Sequence, residues 1–167
     1  MLDGQVYLVG GNDGAGAVYA YDPDADSWQQ KASLPGPRFW LGGGVIRGKL
    51  YAIGGGWPPM PVVEEYDPTT DMWTPKNDAP NGLMAVGSTE LDGCIYVFRG
   101  VLRVPNVAQS TASGFDRVVD EWMQLRDMPT RRQNPAVVTV GTSAYIIGGS
   151  ADLLASPRCC HKSRRTT

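Results

Sequence analysis

The stretch GGVIRGK, Gly43 to Lys49, satisfies G-x-x-x-x-G-K, the core of a loop whose backbone N–H groups cradle phosphate. Three features argue against that chemistry. Leu50 stands where Ser or Thr would hold magnesium, the residues after Lys49 read as a strand, and RGK fills a turn position that recurs along the chain. No G-x-G-x-x-G occurs. Nucleophilic catalysis fares no better, because His161 is the only histidine and lies in the aberrant tail. CCH at 159–161 falls short of the four ligands that a zinc site needs. Asp22, Asp67 and Asp116 each follow an aromatic residue and read as turn formers, while Glu64 and Glu65 sit on an outer strand where one side chain faces water. The expectation is therefore no catalytic set, no cofactor and no metal.

Bulk properties narrow the classes further. Across 167 residues, 15 basic and 17 acidic side chains nearly cancel, which gives no footprint for nucleic acid. No run of about 20 apolar residues is present, so no membrane span is expected. Cys94, Cys159 and Cys160 are too few and too unevenly placed for a disulfide framework. A soluble protein of a reducing compartment, hence cytoplasmic, is the expectation. Gly and Pro together supply 34 of 167 residues, and short runs of Val, Ile, Tyr and Trp lie between them. That is an all-β signature.

The elements repeat. QVYLVGG, KLYAIGG, CIYVFRG and SAYIIGG place Tyr7, Tyr51, Tyr96 and Tyr145 at steps of 44, 45 and 49. Tyr21, Tyr66 and Phe115 each precede a tryptophan (Trp28, Trp73, Trp122) by seven residues, and Pro35, Pro80 and Pro129 follow seven later. From each proline to the next tyrosine the distance is 16. Only the gap from the first glycine position to the next aromatic varies, from 11 to 12 to 16, so length variation sits in one loop per unit. A unit of about 45 residues fits four short strands, A to D, with tight connections. The tryptophans read as packing between units.

Paired glycines closing a strand, then YDP and a tryptophan seven residues after the tyrosine, resemble Kelch repeats over residues 3–150. The resemblance implies a β-propeller of four-stranded antiparallel blades with strand A innermost. It is an incomplete one of about three and a half blades, in units near 1–35, 36–80, 81–129 and 130–150. Residues 151–167 read as a non-Kelch, disordered tail. Open blade edges are an aggregation liability, so missing blades or self-association are expected to cover them. Copper-radical oxidases on related propellers need histidine ligands that this chain lacks.

In such blades the B–C and D–A loops emerge on one face. Loops 12–18, 56–62 and 101–111 lie there, together with Arg38, Leu83 and Arg132, each three past a conserved-spacing proline. Arg131 adjoins Arg132, Arg99 replaces the first glycine of its pair, and Trp40 and Trp57 add apolar surface. Arginine beside aromatics on a preorganised face suits acidic side chains or a terminal carboxylate. The expected partner-binding residues are thus Arg38, Trp40, Trp57, Arg99, Arg131 and Arg132, in a non-catalytic protein-interaction module whose partner is a protein, an acidic peptide among the options. The competing expectation is a sugar-modifying enzyme resembling bacterial sialic acid epimerases, with Arg38, Arg132 and Glu90 as its candidates.

Overall fold

The computed structural model describes residues 1–12, 16–100 and 108–151, and every regular element in them is a strand. The tail from residue 152, with Cys159, Cys160 and His161, lies outside the described residues, as do positions 13–15 and 101–107 of two loops. Four antiparallel sheets follow in chain order. Blade I holds β1 (Val6–Val9), β2 (Val18–Asp22) and β3 (Ser27–Lys31). Blade II holds β4 (Gly42–Ile46), β5 (Lys49–Ile53), β6 (Val63–Asp67) and β7 (Met72–Lys76). Blade III holds β8 (Gly87–Leu91), β9 (Cys94–Phe98), β10 (Ala112–Asp116) and β11 (Glu121–Gln124). Blade IV holds β12 (Ala136–Val140) and β13 (Ser143–Ile147). This is a partial β-propeller of four-stranded blades.

Two turn chemistries set the register. Between β4 and β5, Arg47 and Gly48 take φ of 46° and 74°, the two left-handed residues of a type I′ hairpin. GGVIRGK is therefore strand, turn and strand, with no helix N-terminus for a phosphate. The same turn recurs at Asp3–Gly4, where Leu2 pairs with Gln5. The end of strand A of the first blade is thus present, one element earlier than the sequence pattern placed the start. Between strands C and D, each Asp of the YDP motif or its counterpart caps its own turn. Asp22 Oδ1 accepts from Asp24 N, Asp67 Oδ1 from Thr69 N, and Asp116 Oδ1 from Val118 N, at 2.8–2.9 Å.

The apolar cores lie between blades. Tyr51, Ile53 and Val63 of blade II pack on Ile95, Val97 and Phe115 of blade III, while Tyr7 and Val9 of blade I meet Leu50, Tyr66 and Trp73 of blade II. The repeat tyrosine of strand B meets the strand C aromatic of the following blade, with ring centroids 6.0 Å apart for Tyr7–Tyr66 and 5.9 Å for Tyr51–Phe115. Nearer the channel, backbone bonds link the blades in series: Ala85 N donates to Trp40 O at 2.9 Å and Asn134 N to Ala85 O at 2.8 Å.

A polar clasp locks the outer junctions between blades I and II and between blades II and III. Ala32 N donates to Asp71 Oδ1 at 2.9 Å, and Trp73 Nε1 donates to Ala32 O at 2.8 Å. One blade on, Asn77 N donates to Asp120 Oδ1 and Trp122 Nε1 to Asn77 O, both at 3.1 Å. An Asp-x-Trp pair thus grips both polar groups of one backbone residue in the preceding blade. The Ala32 N–H and the Tyr66 hydroxyl hold the Asp71 carboxyl below its ordinary value. A depressed carboxylate adds stability above its unfolded pKa and loses it as pH falls through the folded one. Stability is therefore expected to fall on acidification below about pH 4. Asp71→Asn should flatten that slope in urea midpoints measured across the acid range, and an unchanged slope would remove Asp71 from the junction.

Candidate functional site

Blade II shows what an internally satisfied loop face looks like. Arg38, on the linker into β4, is 2% exposed. Its Nη1 donates to Gly54 O at 2.9 Å and to Val62 O at 3.1 Å, and its Nη2 pairs with the Glu64 carboxylate. Burial pushes Glu64 up and Arg38 down from their ordinary values, and each charge partly offsets the other's shift. Arg38 was expected to meet a partner. Instead it is turned inward, its fork consumed by the end of β5 and by β6. Glu64 and Glu65 are not water-facing either: Glu64 is this ion-pair partner, and Glu65 accepts from the Tyr51 hydroxyl and lies 3.5 Å from Lys76 Nζ.

Blade III carries the same architecture with its charges rearranged. Leu83 stands at the position of Arg38 and is buried in the core, and Ser113 occupies the β10 register position that Glu64 occupies on β6. The guanidinium comes from Arg99 instead, at the end of β9. Gly10, Gly54 and Gly148, its counterparts in the other blades, have φ of 65–69°, whereas Arg99 is not left-handed. Its Nη2 donates to Gly82 O at 3.1 Å, its Nε has no hydrogen-bond partner among the described residues, and burial lowers its pKa. No carboxylate is paired with it among the described residues. Beside it opens a cavity of about 90 Å³ lined by Thr111, Ser113, Gln124 and Asn81, and the Thr111 hydroxyl is likewise buried without a partner. The site therefore holds a desolvated cation and an idle hydroxyl, and lacks the carboxylate that blade II supplies from within.

The other expected residues surround this face unevenly. Trp40 and Trp57 are about half exposed, at 53% and 50%. The loop after Trp57 reaches the Arg99 site through Pro59, whose carbonyl lies against Gly82. Arg131 is exposed. Arg132 repeats part of the Arg38 pattern, donating through Nη1 to Gly148 O and through Nε to Thr130 Oγ1 at 3.0 Å. Glu90 Oε1 accepts from Gly93 N at 2.9 Å and so belongs to the β8–β9 turn, at the opposite end of the blade from the arginines. No group of three or more His, Cys, Asp or Glu stands close enough to hold a metal among the described residues, and they contain no helix long and apolar enough to cross a membrane. Sequence reading named Arg99 but missed Thr111 and Ser113. Its available signal was the joint change of Arg38 and Glu64 to Leu83 and Ser113 between aligned copies.

Comparison with known proteins agrees with this architecture. Residues 41–80 match the Kelch motif. A 62-residue stretch is 40% identical to the Kelch-like ECH-associated protein 1A of Danio rerio, covering 33% of this chain and only 10% of that protein. The structure of YjhT superposes with a TM-score of 0.76 at 22% identity, over 89% of this chain and 56% of that one. Matching spacings, blade topology and motif together identify the chain as a partial β-propeller that carries the Kelch motif.

Proposed function

We propose that the chain is a non-catalytic protein-interaction module whose loop face takes an acidic side chain or terminal carboxylate of a protein partner at Arg99. The observation that carries this reading is the contrast between blades: the buried guanidinium of blade II, Arg38, is neutralised by Glu64, whereas the guanidinium that Arg99 brings to blade III from a different repeat position is desolvated and has no carboxylate partner among the described residues. A carboxylate entering the cavity would meet Arg99 Nε and the Thr111 hydroxyl, both without partners among the described residues. Charge-assisted bonds in a partly dry site are the strong ones, and the half-exposed Trp40 and Trp57 offer aromatic contact area on the loops of blade II. The relative whose name records an association with another protein, Kelch-like ECH-associated protein 1A, supports the same class of role.

The test is a titration with a blocked peptide of Asp and Glu residues, followed through the Arg99 Nε–H resonance. That resonance should shift on binding, and Arg99→Met should weaken affinity by about 10-fold or more. Arg131→Ala, at an exposed position, should change mainly the salt dependence. Binding that survives Arg99→Met would overturn the assignment. Conversion of N-acetylneuraminate by the unaltered chain, followed by NMR, would move it to the enzyme class.

A further inference from the structure

The part of blade III that carries Arg99 differs from its counterpart in blade II at several aligned positions, and the changes form one patch. Glu64 on β6 aligns with Ser113 on β10, and Val62, one residue before β6, aligns with Thr111, one residue before β10. Pro75, opposite Glu64 on β7, gives way to Gln124, opposite Ser113 on β11. Gly54, whose N–H donates to Val62 O, gives way to Arg99, whose N–H donates to Thr111 O. Residues two apart on a strand share a face, and so do cross-strand partners. Arg99, Thr111, Ser113 and Gln124 therefore stand together, and all four line the cavity that faces the linker out of blade II. Val, Gly and Pro have become hydrogen-bonding side chains, and the acidic Glu has become a neutral Ser.

Blade II holds its carboxylate with a guanidinium alone: Glu64 pairs with Arg38, and no hydroxyl or side-chain amide joins them among the described residues. Blade III offers a guanidinium with surplus donors. Arg99 Nε and the Thr111 hydroxyl are buried without partners, and the side chains of Ser113 and Asn81 make no hydrogen bond among the described residues. No Asp or Glu lines the cavity, and positions 101–107 of the adjoining loop contain neither. The donors also come from two sides, the sheet of blade III and Asn81 on the linker of blade II. A carboxylate accepts in one plane through two oxygens, whereas a phosphoryl group presents three oxygens that diverge. Ala79, Pro80 and Leu83 leave an apolar wall for a short aliphatic stem, and about 90 Å³ is room for several water-sized groups.

We propose that the Arg99 cavity takes the phosphoryl group of a phosphoserine or phosphothreonine on the partner protein, held by Arg99, Thr111, Ser113 and Asn81. This rests on Arg99 as the partner-binding residue and narrows the acidic group that it receives. Arg99 supplies the charge that any acidic group needs, and the two hydroxyls and the Asn81 amide select for the third oxygen.

The test titrates three blocked Gly-Ala-X-Ala-Gly peptides into the chain, with X as phosphoserine, Glu or Ser. Binding is followed through the Arg99 Nε–H resonance and the ligand's phosphorus resonance. Phosphoserine should bind about 10-fold or more tighter than Glu, and Ser should not bind. Thr111→Val with Ser113→Ala, the first copied from Val62 of blade II, should weaken the phosphoserine peptide about 10-fold and the Glu peptide less than about 3-fold. Where that double variant fails to fold, Asn81→Ala, at an exposed position, should show the same selective loss in smaller measure. Arg99→Met should weaken both peptides. Equal binding of the Glu and phosphoserine peptides, both lost in Arg99→Met, would overturn this inference and leave Arg99 as a carboxylate site. Phosphoserine binding that survives Arg99→Met would overturn both assignments, as would no binding by any of the three peptides. Inorganic phosphate that binds as tightly as the phosphoserine peptide would overturn the assignment to a partner protein.

Discussion

Arg38→Ala is expected to lower unfolding free energy by about 3–5 kcal/mol, because it leaves the Glu64 carboxylate buried without its cation. The same change strips the Gly54 and Val62 carbonyls of their donor where β5 ends and β6 begins. Urea unfolding of the single variant measures the loss, and a second variant identifies its cause. Arg38→Leu with Glu64→Ser copies into blade II the pair that blade III already carries as Leu83 and Ser113. If the cost of Arg38→Ala is the orphaned charge, the double variant should recover much of it, because removing both charges leaves none to desolvate. Glu64→Ser alone should be costly for the mirror reason. A near-neutral Arg38→Ala would show that the guanidinium is dispensable inside the blade and would return Arg38 to the partner-binding set.

How far the sequence alone reached depended on which contacts are local. Strand boundaries were legible because a strand ends where its turn chemistry begins: β6 and β7 follow from YDP and the tryptophan, and β5 from the glycines that stop it. The turn role of Asp22, Asp67 and Asp116 was legible for the same reason, since each carboxylate bonds its own backbone two residues on. What a side chain meets across a blade was not. Arg38 and Arg132 occupy the same repeat position, yet one is sealed beneath Glu64 and the other has no carboxylate partner among the described residues. Arg99 looked like a defect in a glycine pair. Only the folded blade shows that it supplies the guanidinium that Leu83 has lost, with Ser113 where a carboxylate had been. The clasp was half read. The tryptophans announced packing between units, but their grip on Ala32 and Asn77 spans about 40 residues of sequence and leaves no local mark.

Gly54→Ala is expected to be the other severe change, and it isolates why the repeat closes strand B on glycine. Gly54 has φ of 65°, and an added Cβ would stand 2.5 Å from Leu83 O and 2.6 Å from Leu83 Cβ. The first term costs about 1 kcal/mol, the penalty for a side chain in the left-handed region. The second is a collision with the backbone of the next blade, which a flexible side chain could escape but a carbonyl bonded to Gly55 N cannot. Forced shifts of that kind add about 1–3 kcal/mol. Gly48→Ala is the control, for Gly48 has φ of 74° with nothing within 4 Å of the added carbon. It should show the conformational term alone. The difference between the two variants in urea unfolding then measures how closely blades II and III approach. Hydrogen exchange should place the loosening at the Gly55–Leu83 bond, with the β4–β5 hairpin still protected. Arg99 marks the alternative solution to the same crowding: where blade III puts a side chain at this position, the backbone abandons the left-handed conformation and the loop that follows lengthens. Equal losses for Gly54→Ala and Gly48→Ala would mean that φ alone selects glycine here and that the blades have room to spare.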